Sequence, residues 1–493
     1  MGLSLRQKVG LELQRSLRHN EAQLHPLRTL FWECTLRCNM SCRHCGSDCK
    51  VQPDVKDMPA ADFLRVIDSI TPHVDTHKVF IIFTGGEALL RPDLEEVGLE
   101  LYRREYPWGV VTNGFLLDER RLQSLMASGM HSITVSLDGF EEQHNWIRRH
   151  PQSFEKATAA IRLLAQQKDI LWDVVTCVNP RNYSHLKEFR EYLVSLGVPA
   201  WRLFSIFPMG RAAGNPELQF TDEQFRGLLD FIKECRNTPS PLRGTPPREG
   251  ESQLAQAGSS PMTAGELPFH RQGSTPVMAG ADSFHRQGSS PMTAGENSFH
   301  RQDSSPMTAG ADSFHRQGSS PMTAGADSFH RQGSSPVTAG ENSFHRQGSS
   351  PVMAGADSSH RQGSSPLQGE VAEGQRGVIN VSYACEGFLG EYEQKVRDHF
   401  FHCRSGVDVA SIRCDGAISG CTSVRSHMDQ GNIYKDDFWD VWENRFQVMR
   451  DRSWARKDQC ASCKVWRYCE GSGLHLYDDE GSLLTCHYSR LKK

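Results

Sequence analysis

Three closely spaced cysteines constrain this chain more than any other feature. Cys38, Cys42 and Cys45 have the spacing C-x3-C-x2-C within the segment FWECTLRCNMSCRHC. Three thiolates on one short loop can hold three irons of a cubane iron–sulfur cluster and leave the fourth iron without a protein ligand. A zinc site is the alternative, although structural zinc normally takes a fourth Cys or His ligand. We therefore expect a cluster with one open iron at this loop.

The cysteine content and the charge indicate a metal-binding protein of a reducing compartment. The 493 residues include 15 cysteines, most of them between positions 34 and 49 or between 403 and 469. Disulfides are rare in the cytoplasm, so metal ligation is the default explanation for so many thiols. The formal net charge of −4 gives no electrostatic reason to expect a nucleic-acid partner. With no apolar run near the ~18 residues of a membrane span and no signal-peptide core, we predict a cytoplasmic protein.

Residues 237–377 differ in composition from the rest of the chain. The unit SFHRQGSSPMTAGAD recurs there with a period of 15 residues. A fixed period can indicate a solenoid of stacked repeats. Each unit offers only a Phe and a Met or Val as large apolar residues, too few to offset the entropy of ordering the chain. We predict a disordered insertion without chemistry, in which these phenylalanines share one register: Phe269, Phe284, Phe299, Phe314, Phe329 and Phe344.

Residues 27–236 alternate apolar strand-like runs with amphipathic helical stretches. Six βα units predict a parallel sheet covered by helices, either open or curved into part of a barrel. Residues 1–26 predict an N-terminal helix, packed on this domain or lying on a membrane surface. The predicted strands are Thr29–Glu33, Val79–Phe83, Gly109–Thr112, Ser132–Leu137, Leu171–Val178 and Trp201–Phe207. The predicted helices are Ala60–Ser69, Asp93–Tyr106, Asp118–Ser128, Ser153–Gln167, Ser184–Ser195 and Asp222–Cys235, the last with a capping box at Thr221 and Gln224.

Polar motifs follow three of these strands. TGGE at residues 84–87 comes after the second strand, where two glycines would let the backbone approach a ligand and Glu87 could accept from an ammonium group. Asn113 follows the third strand, and Ser136 and Asp138 close the fourth. These side chains suit ribose or carboxylate contacts, with ordinary turn chemistry as the alternative. Arg148 is either a partner for a ligand carboxylate or an exposed helix residue.

Together these motifs resemble the radical SAM superfamily, whose signature is the cysteine triad with an aromatic residue, here His44, before its last cysteine. The resemblance implies an α/β fold, a partial (β/α)6 TIM-type barrel, with its site at the carboxyl ends of the strands. It also implies a [4Fe–4S] cluster that cleaves S-adenosylmethionine (SAM) reductively to a 5′-deoxyadenosyl radical. The candidate cofactor-binding residues are then His44, Gly85, Gly86, Glu87, Asn113, Ser136 and Asp138.

Residues 378–493 carry a second cysteine pattern. Cys403 is followed by twelve residues, Gly416, four residues and Cys421, and later come Cys460-x2-Cys463-x5-Cys469 and Cys486. The pattern resembles the SPASM domain, a small cysteine-rich α+β domain that holds two auxiliary [4Fe–4S] clusters in many peptide- and protein-modifying radical SAM enzymes. A zinc ribbon is the alternative interpretation.

The resemblance to SPASM domains distributes these cysteines between two auxiliary clusters. The second cluster receives Cys460, Cys463, Cys469 and Cys486. The first receives Cys385, Cys403 and Cys421, and Gly473 stands where the family has the fourth cysteine. Either Cys414 substitutes for that ligand, or one iron of the first auxiliary cluster stays open.

The sequence therefore predicts a radical SAM enzyme that modifies a peptide or protein and receives electrons from a flavodoxin- or ferredoxin-type protein. A radical reaction on a small molecule in cofactor or haem biosynthesis is the alternative within enzymes. A non-catalytic iron–sulfur or zinc module, acting in redox sensing or binding, is the alternative outside them. The chain also bears a looser resemblance to the radical SAM subfamily that is encoded beside a small lipoprotein.

Overall fold

The computed structural model describes residues 3–47, 49–51, 54–237, 379–384, 387–425 and 428–492, and eleven strand segments between residues 277 and 354. Two units are distinguished. One consists of Met1–Leu267 with Val371–Lys493, and the other consists of Pro268–Glu370.

A mixed sheet of ten strands forms the centre of the first unit. Strands β1 to β6 are parallel neighbours in chain order, which is the arrangement of a partial TIM-type barrel. β18 pairs with β6 and β19 with β1, so segments from beyond the repeat extend the sheet at both ends. The strands are β1 Thr29–Thr35, β2 Phe80–Gly85, β3 Trp108–Thr112, β4 Met130–Ser136, β5 Leu171–Val178, β6 Ala200–Ser205, β18 Asn380–Tyr383, β19 Val409–Ile412, β20 Ala417–Ser419 and β21 Gly431–Asn432.

Helices cover this sheet because each presents apolar residues at helical spacing. In α2, residues 63, 66, 67 and 70 are buried, and Phe63 stacks on Trp32 of β1 with ring centroids 4.1 Å apart. The α-helices are α1 Leu5–Leu24, α2 Ala60–Ile70, α3 Leu94–Arg103, α4 Glu119–Ala127, α5 Glu141–Arg148, α6 Ser153–Leu164, α7 Leu186–Ser195, α8 Asp222–Asn237, α9 Phe438–Asn444, α10 Gln447–Arg450, α11 Trp466–Cys469 and α12 His487–Arg490. Short 3-10 helices span Thr71–His73, Thr76–Lys78, Ala88–Leu90, Tyr183–His185, Gly210–Ala212, Pro216–Leu218, Gly390–Tyr392, Ser453–Ala455, Asp458–Cys460 and Leu474–Leu476.

All six predicted barrel strands and all six predicted helices of residues 27–236 are present, with ends that differ by a few residues. The capping box of α8 is also confirmed, since Thr221 and Gln224 each accept from the other's backbone N–H. Helix α5, Glu141–Arg148, was not predicted from the sequence. Only three of its residues are buried, so its apolar periodicity is weak.

Helix α1 packs on the C-terminal segment, whereas we predicted that it packs on the barrel or lies on a membrane surface. The Gln7 side chain donates to the Glu391 carbonyl at 2.9 Å, and Arg18 donates to the Tyr468 carbonyl at 2.9 Å. Both partners belong to residues 378–493, which lie too far along the chain for helical periodicity to indicate them. None of the helices described here combines the length and the hydropathy needed to cross a membrane.

Eleven short strands in the repeat form two parallel sheets, of five and six strands. Equivalent residues of successive units pair with each other, as His300 does with His315, because the period is constant. Parallel pairing of this kind is the arrangement expected of stacked repeats, and the disorder predicted from composition for residues 237–377 stays a prediction. Other residues of 237–377, including Phe269, lie outside the described residues. The strands are β7 Val277–Ala279, β8 Phe284–Gln287, β9 Met292–Ala294, β10 Phe299–Gln302, β11 Met307–Ala309, β12 Phe314–Gln317, β13 Met322–Ala324, β14 Phe329–Gln332, β15 Val337–Ala339, β16 Phe344–Gln347 and β17 Val352–Ala354.

Candidate cluster and cofactor site

The cysteine triad lies on the loop that follows β1, and the loop is fixed at two points. The Cys38 N–H donates to the Lys50 carbonyl at 2.8 Å, and the Arg43 N–H donates to the Ile147 carbonyl of α5 at 2.8 Å. Cys38 and Cys42 belong to one buried cluster with Met40 and Cys49, and Cys45 packs against it. The fold thus gathers the three predicted ligands at the carboxyl end of β1.

The pKa values of these thiols show that they share one buried site. Burial, together with the neighbouring Cys42 and Cys45, raises the pKa of Cys38 to about 12. Burial also raises the pKa of Cys42, although the Arg148 charge opposes this. Bonding to a metal cluster deprotonates such thiols and compensates for burying their charges. The donor set therefore fits an iron–sulfur cluster.

Cys49 is a neighbour of the triad that the sequence analysis did not assign. Its thiol donates a hydrogen bond to the Cys45 sulfur, and this bond lowers the pKa of Cys45. Cys49 is 2 % exposed. Its position four residues after Cys45 was visible in the sequence, but the triad spacing gave it no role.

The spacing of the thiols argues against a single zinc ion. Four thiolates around tetrahedral zinc lie about 3.8 Å apart, since each Zn–S bond is about 2.3 Å long. Among the described residues, the only group of three potential ligands whose donor atoms all lie within 4.8 Å of one another is His44, Asp138 and Cys177. No described set of three cysteines is that compact. A cubane, which binds each thiolate on a separate iron, fits this wider arrangement better.

Gly85 and Gly86 pack against the backbone of the cysteine loop. A Cβ atom on Gly85 would lie 2.1 Å from the Thr35 carbonyl oxygen, and one on Gly86 would lie 2.1 Å from the Arg37 carbonyl oxygen. Gly85 also has a φ of +132°, a value that side chains disfavour. The predicted reason for these glycines was close approach to a ligand. The contact observed here is instead with the segment that leads into Cys38.

The Glu87 side chain connects the ends of β2 and β3 through hydrogen bonds. Its fully buried carboxylate accepts from the Thr112 hydroxyl at 2.6 Å, the Asn113 N–H at 2.8 Å and the Leu89 N–H at 3.2 Å. A carboxylate has about four acceptor positions, so one position remains for a further donor. The Asn113 amide in turn donates to Asn39 of the cysteine loop at 2.8 Å.

Asp138 and Arg148 form a buried ion pair beside the triad. The Arg148 Nε donates to one carboxylate oxygen of Asp138 at 2.6 Å, and the Cys177 N–H donates to the other at 2.8 Å. The Arg148 Nη1 lies 3.9 Å from the Cys42 sulfur. Burial opposes ionisation of Asp138, but the charge and the hydrogen bond of Arg148, together with the nearby His44 and His144, outweigh it and lower the pKa of Asp138 to about 2. The alternative of an exposed Arg148 is therefore wrong.

Two further candidates lie close to these groups. Ser136 is buried at the last position of β4, two residues before Asp138. His44 lies with Asp138 and Cys177, and burial lowers the pKa of His44 to about 4. Its Nδ1 is buried and has no hydrogen-bond partner within the described part of the chain. His44 is therefore neutral at pH 7.

The four cysteines predicted for the second auxiliary cluster also converge. Burial is the main cause that raises the pKa of Cys469 to about 12, and Cys486, Cys460 and Cys463 contribute to this rise in that order. All four thiols therefore interact electrostatically at one place. None of the fourteen described cysteines forms a disulfide, so these thiols are available as ligands.

The first auxiliary set is brought together only in part. Burial raises the pKa of Cys421, and Cys403 is among the groups that raise it further. Cys385 lies outside the described residues. Cys414 donates from its thiol to the Lys56 carbonyl at 3.2 Å, in the segment before α2. The Cys414 thiol therefore lies next to the segment before α2. This position does not support Cys414 as the fourth ligand of the first auxiliary cluster.

A cavity of about 280 Å³ connects the barrel interior with Cys403 and Cys421. Alternate residues of the barrel strands line it, because side chains of a strand point to opposite faces. This cavity could not be predicted from local sequence patterns, because its wall combines barrel strands with a segment about two hundred residues later in the chain. Its lining includes Phe31, Phe80, Ile82, Thr84, Val111, Thr134, Val175, Arg202, Phe204, Phe207, Arg404, Ser405, Val409, Thr422, Ser423 and His475.

Comparisons with known proteins identify two domains. Residues 32–193 match the radical SAM superfamily, and residues 403–464 match the iron–sulfur cluster-binding SPASM domain. The first domain includes the triad, and the second includes the first four cysteines of the C-terminal pattern, from Cys403 to Cys463.

Relatives with assigned functions match less than half of this chain. The AdoMet-dependent heme synthase of Oleidesulfovibrio alaskensis is 29% identical over 219 residues, 43% of this chain and 54% of that protein. The mycofactocin maturase MftC of Mycolicibacterium smegmatis is 29% identical over 207 residues, 41% of this chain and 51% of that protein. This chain thus covers about half the length of these relatives.

The fold resembles that of a solved structure over nearly the whole chain. Native anSMEcpe with bound AdoMet and the Cp18Cys peptide superposes with a TM-score of 0.52 at 15% identity, covering 95% of this chain and 94% of that one. At this identity the similarity concerns the fold.

Proposed function

Because the chain contains a radical SAM domain followed by an iron–sulfur SPASM domain, we propose that it cleaves SAM reductively and modifies a side chain of a peptide or protein. Domains of the first kind bind SAM and a [4Fe–4S] cluster, and SPASM domains bind auxiliary clusters. When bound, the cluster and SAM supply a 5′-deoxyadenosyl radical that abstracts a hydrogen atom from the substrate. The observation that carries the proposal is the cavity that reaches from the barrel interior to Cys403 and Cys421.

The chain's own residues hold and orient the reactants. Cys38, Cys42 and Cys45 would ligate three irons from a loop that backbone hydrogen bonds fix in place. Glu87 has an acceptor position left for the methionine ammonium group, and its bonds to Thr112 and Asn113 keep its carboxylate oriented. Such fixed geometry lowers the barrier because the reactants need not be ordered during the reaction.

Arg148 would provide positive charge where it is needed. Its guanidinium is buried, is held by Asp138 and lies beside the Cys42 sulfur. A cation at this distance stabilises the thiolate of Cys42 and can also attract the carboxylate of SAM. Ser136 and Asn113, at neighbouring strand ends, are the proposed polar contacts to the rest of that ligand.

The size and polarity of the cavity favour an apolar side chain as the substrate group. At about 280 Å³, the cavity lies at the lower end of the range of about 300–1,000 Å³ for pockets that bind drug-sized ligands. Most of the surface of its wall is apolar. Its two arginines are already paired, Arg202 with Asp173 and Arg404 with Asp408. One side chain of an extended peptide fits this space.

A reaction on a tetrapyrrole is the second candidate. It is favoured by the similarity to the heme synthase of O. alaskensis, at 29% identity over 219 residues. A tetrapyrrole is larger than a drug-sized ligand, and the described cavity would have to open to admit it. The reductant proposed for either reaction is a flavodoxin- or ferredoxin-type protein, and the proposed compartment is the cytoplasm.

The test measures 5′-deoxyadenosine formed by the anaerobically purified protein with dithionite and SAM. Peptides encoded next to the gene and iron-containing tetrapyrroles are added separately, and the mass of each is followed. We expect a peptide to stimulate 5′-deoxyadenosine formation and to lose hydrogen atoms or gain a crosslink. Turnover of a tetrapyrrole without any peptide turnover would overturn the proposed substrate class.

A variant that fills the cavity tests its role. Val111→Phe places a larger side chain at the cavity wall and should reduce peptide turnover at least tenfold, while SAM cleavage without substrate continues. Val9→Phe, on the exposed side of α1 with 54 % exposure, is the matched control and should have no effect. Equal turnover by Val111→Phe and wild type would contradict the assignment of this cavity to the substrate.

A further inference from the structure

Helix α1 packs with one face on the C-terminal segment and leaves its opposite face exposed. The buried residues of α1 are Gln7, Leu11 and Arg18. Residues four or seven positions apart lie on the same side of a helix, so these three side chains share the packed face. The side of α1 that points away from them is free to contact another surface.

This exposed side of α1 carries a row of large aliphatic side chains, which we call the α1 stripe. It consists of every fourth residue from position 5 to position 17 and of position 24, seven residues later. At a rise of 1.5 Å per residue the stripe extends over roughly 28 Å. Its five members, each between 54 % and 79 % exposed, are Leu5, Val9, Leu13, Leu17 and Leu24.

The α1 stripe concentrates apolar surface that is otherwise scattered. Among the described residues, nine large apolar side chains are exposed, and five of them belong to this one helix face. Single exposed apolar residues are common and need no explanation, whereas a contiguous apolar patch marks a contact with a protein or a membrane. The stripe is therefore a candidate interaction surface.

The exposed charged residues of α1 are all cationic. They are Arg6, Lys8 and Arg15. Arg15 pairs with Glu12 at 3.0 Å, whereas Arg6 and Lys8 form no ion pair within the described part of the chain. Both unpaired cations lie beside the first residues of the stripe, so an occupant of the stripe meets positive charge there.

This distribution of charge discriminates between a second copy and a lipid surface. A second copy would meet the stripe through the same surface, as the subunits of a twofold dimer do, and would bring the same cations. Glu12 cannot serve as the counter-charge, because its carboxylate already accepts from Arg15 and Tyr468. A membrane with anionic lipids offers both an apolar layer and negative charges.

We propose that the α1 stripe binds the surface of a membrane that contains anionic lipids, with α1 parallel to the membrane plane. An amphipathic helix in this position buries its apolar face at the boundary between headgroups and acyl chains, and its Lys and Arg side chains contact lipid phosphates. The attachment is peripheral and needs no spanning helix. It uses only the exposed side of α1, so the contacts of Gln7 and Arg18 with the C-terminal segment persist.

Sedimentation with lipid vesicles tests this proposal on the full chain. The vesicles consist of phosphatidylcholine alone or of equal parts of phosphatidylcholine and phosphatidylglycerol. We expect the wild type to sediment with the mixed vesicles and much less with phosphatidylcholine alone. Raising the salt concentration from about 50 mM to about 300 mM should weaken the binding, because salt screens the charges of Arg6 and Lys8.

A double variant of the stripe and a matched control complete the test. Leu13→Ser/Leu17→Ser removes the middle of the stripe and should weaken binding to the mixed vesicles by roughly fivefold or more. Both positions are exposed, so the urea midpoint should stay close to that of the wild type. Val448→Ser/Leu484→Ser replaces two exposed apolar residues outside α1 and should bind as the wild type does.

Two results would overturn the proposal. One is a wild type that does not sediment with the mixed vesicles, or a Leu13→Ser/Leu17→Ser protein that sediments equally well. The other comes from sedimentation velocity without lipid: a wild-type dimer that this variant converts to a monomer would assign the stripe to contacts between copies. Neither measurement involves SAM cleavage or the substrate, so both are independent of the proposed function.

Discussion

The Arg148 guanidinium donates to the Asp138 carboxylate at 2.6 Å, and both side chains are buried beside the cysteine triad. Asp138 follows β4, whereas Arg148 ends α5. The pair therefore links the end of a barrel strand to the helix that covers it. It also holds a positive charge 3.9 Å from the Cys42 sulfur.

Breaking this pair on one side should destabilise the protein. Arg148→Ala leaves the Asp138 carboxylate buried without its cation, which typically costs about 3–5 kcal/mol. We expect a loss of that order in the free energy of unfolding, measured by urea denaturation followed by tryptophan fluorescence. The double variant Arg148→Ala/Asp138→Asn should recover part of the loss, since no buried charge is then unpaired. Additive effects of the two substitutions would show that the pair is not coupled.

His144 should make the protein less stable in mild acid. Its Nδ1 accepts from the Asp138 N–H at 2.9 Å, and burial lowers the pKa of His144 to about 3. The unfolded chain binds a proton at this residue below pH ~6.5, whereas the folded protein does not until about pH 3. Between these values the unfolded state holds more protons, so stability decreases as the pH falls, by up to about 1.4 kcal/mol per pH unit.

Urea midpoints at pH 7, 6 and 5 measure this dependence. His144→Asn keeps an acceptor near the position of Nδ1 but cannot be protonated there, and its stability should fall less steeply with decreasing pH. His19→Asn, at an exposed position of α1, serves as the control and should follow the wild type. Identical slopes for His144→Asn and wild type would remove His144 as the cause.

The repeat should be removable without loss of cofactor chemistry. The chain leaves the barrel at the end of α8 and returns at β18, and these two places are already in contact. Arg236 donates to the Val381 carbonyl at 3.0 Å, and Asn380 pairs with Ala200 of β6. A short Gly/Ser linker from Asn237 to Val378 can therefore close the gap, and a shorter loop costs less closure entropy.

We expect the shortened protein to retain the iron content and the rate of SAM cleavage of the full chain, within about twofold. Iron analysis and 5′-deoxyadenosine formation are the two measurements. A variant that lacks only one 15-residue unit shows whether a shorter repeat has the same effect on these two measurements as removal of the whole segment. Insoluble or iron-poor shortened protein would show that the repeat supports the enzyme.

The sequence allowed the barrel and the grouping of the three triad cysteines on one loop to be predicted because their signals are local. The triad lies within one loop, and the apolar periodicity of each βα unit depends on neighbouring residues. The contacts between distant segments were not predictable in this way. The sequence analysis placed Arg148 near the site only as one of two alternatives, because nothing local indicates that it turns toward Cys42.

The other features that were not predicted from the sequence also depend on contacts between distant segments of the chain. β18 and β19 extend the barrel sheet although they belong to the C-terminal segment, and periodicity cannot indicate pairing with β6 and β1. His475 was not predicted to line a cavity, because the family pattern concerns position 473 and not the residue two positions later. Its place in the cavity wall became visible only from the structure.

Loss of SAM cleavage on removal of the triad is the most direct test of the central claim. The protein with Cys38→Ala, Cys42→Ala and Cys45→Ala is compared with wild type, both purified anaerobically and reconstituted with iron and sulfide. We predict about twelve irons in the wild type and about eight in the variant, from three and two clusters of four. We also predict 5′-deoxyadenosine from SAM and dithionite with the wild type only. A variant that still forms 5′-deoxyadenosine would contradict the assignment of this loop as the site of SAM cleavage.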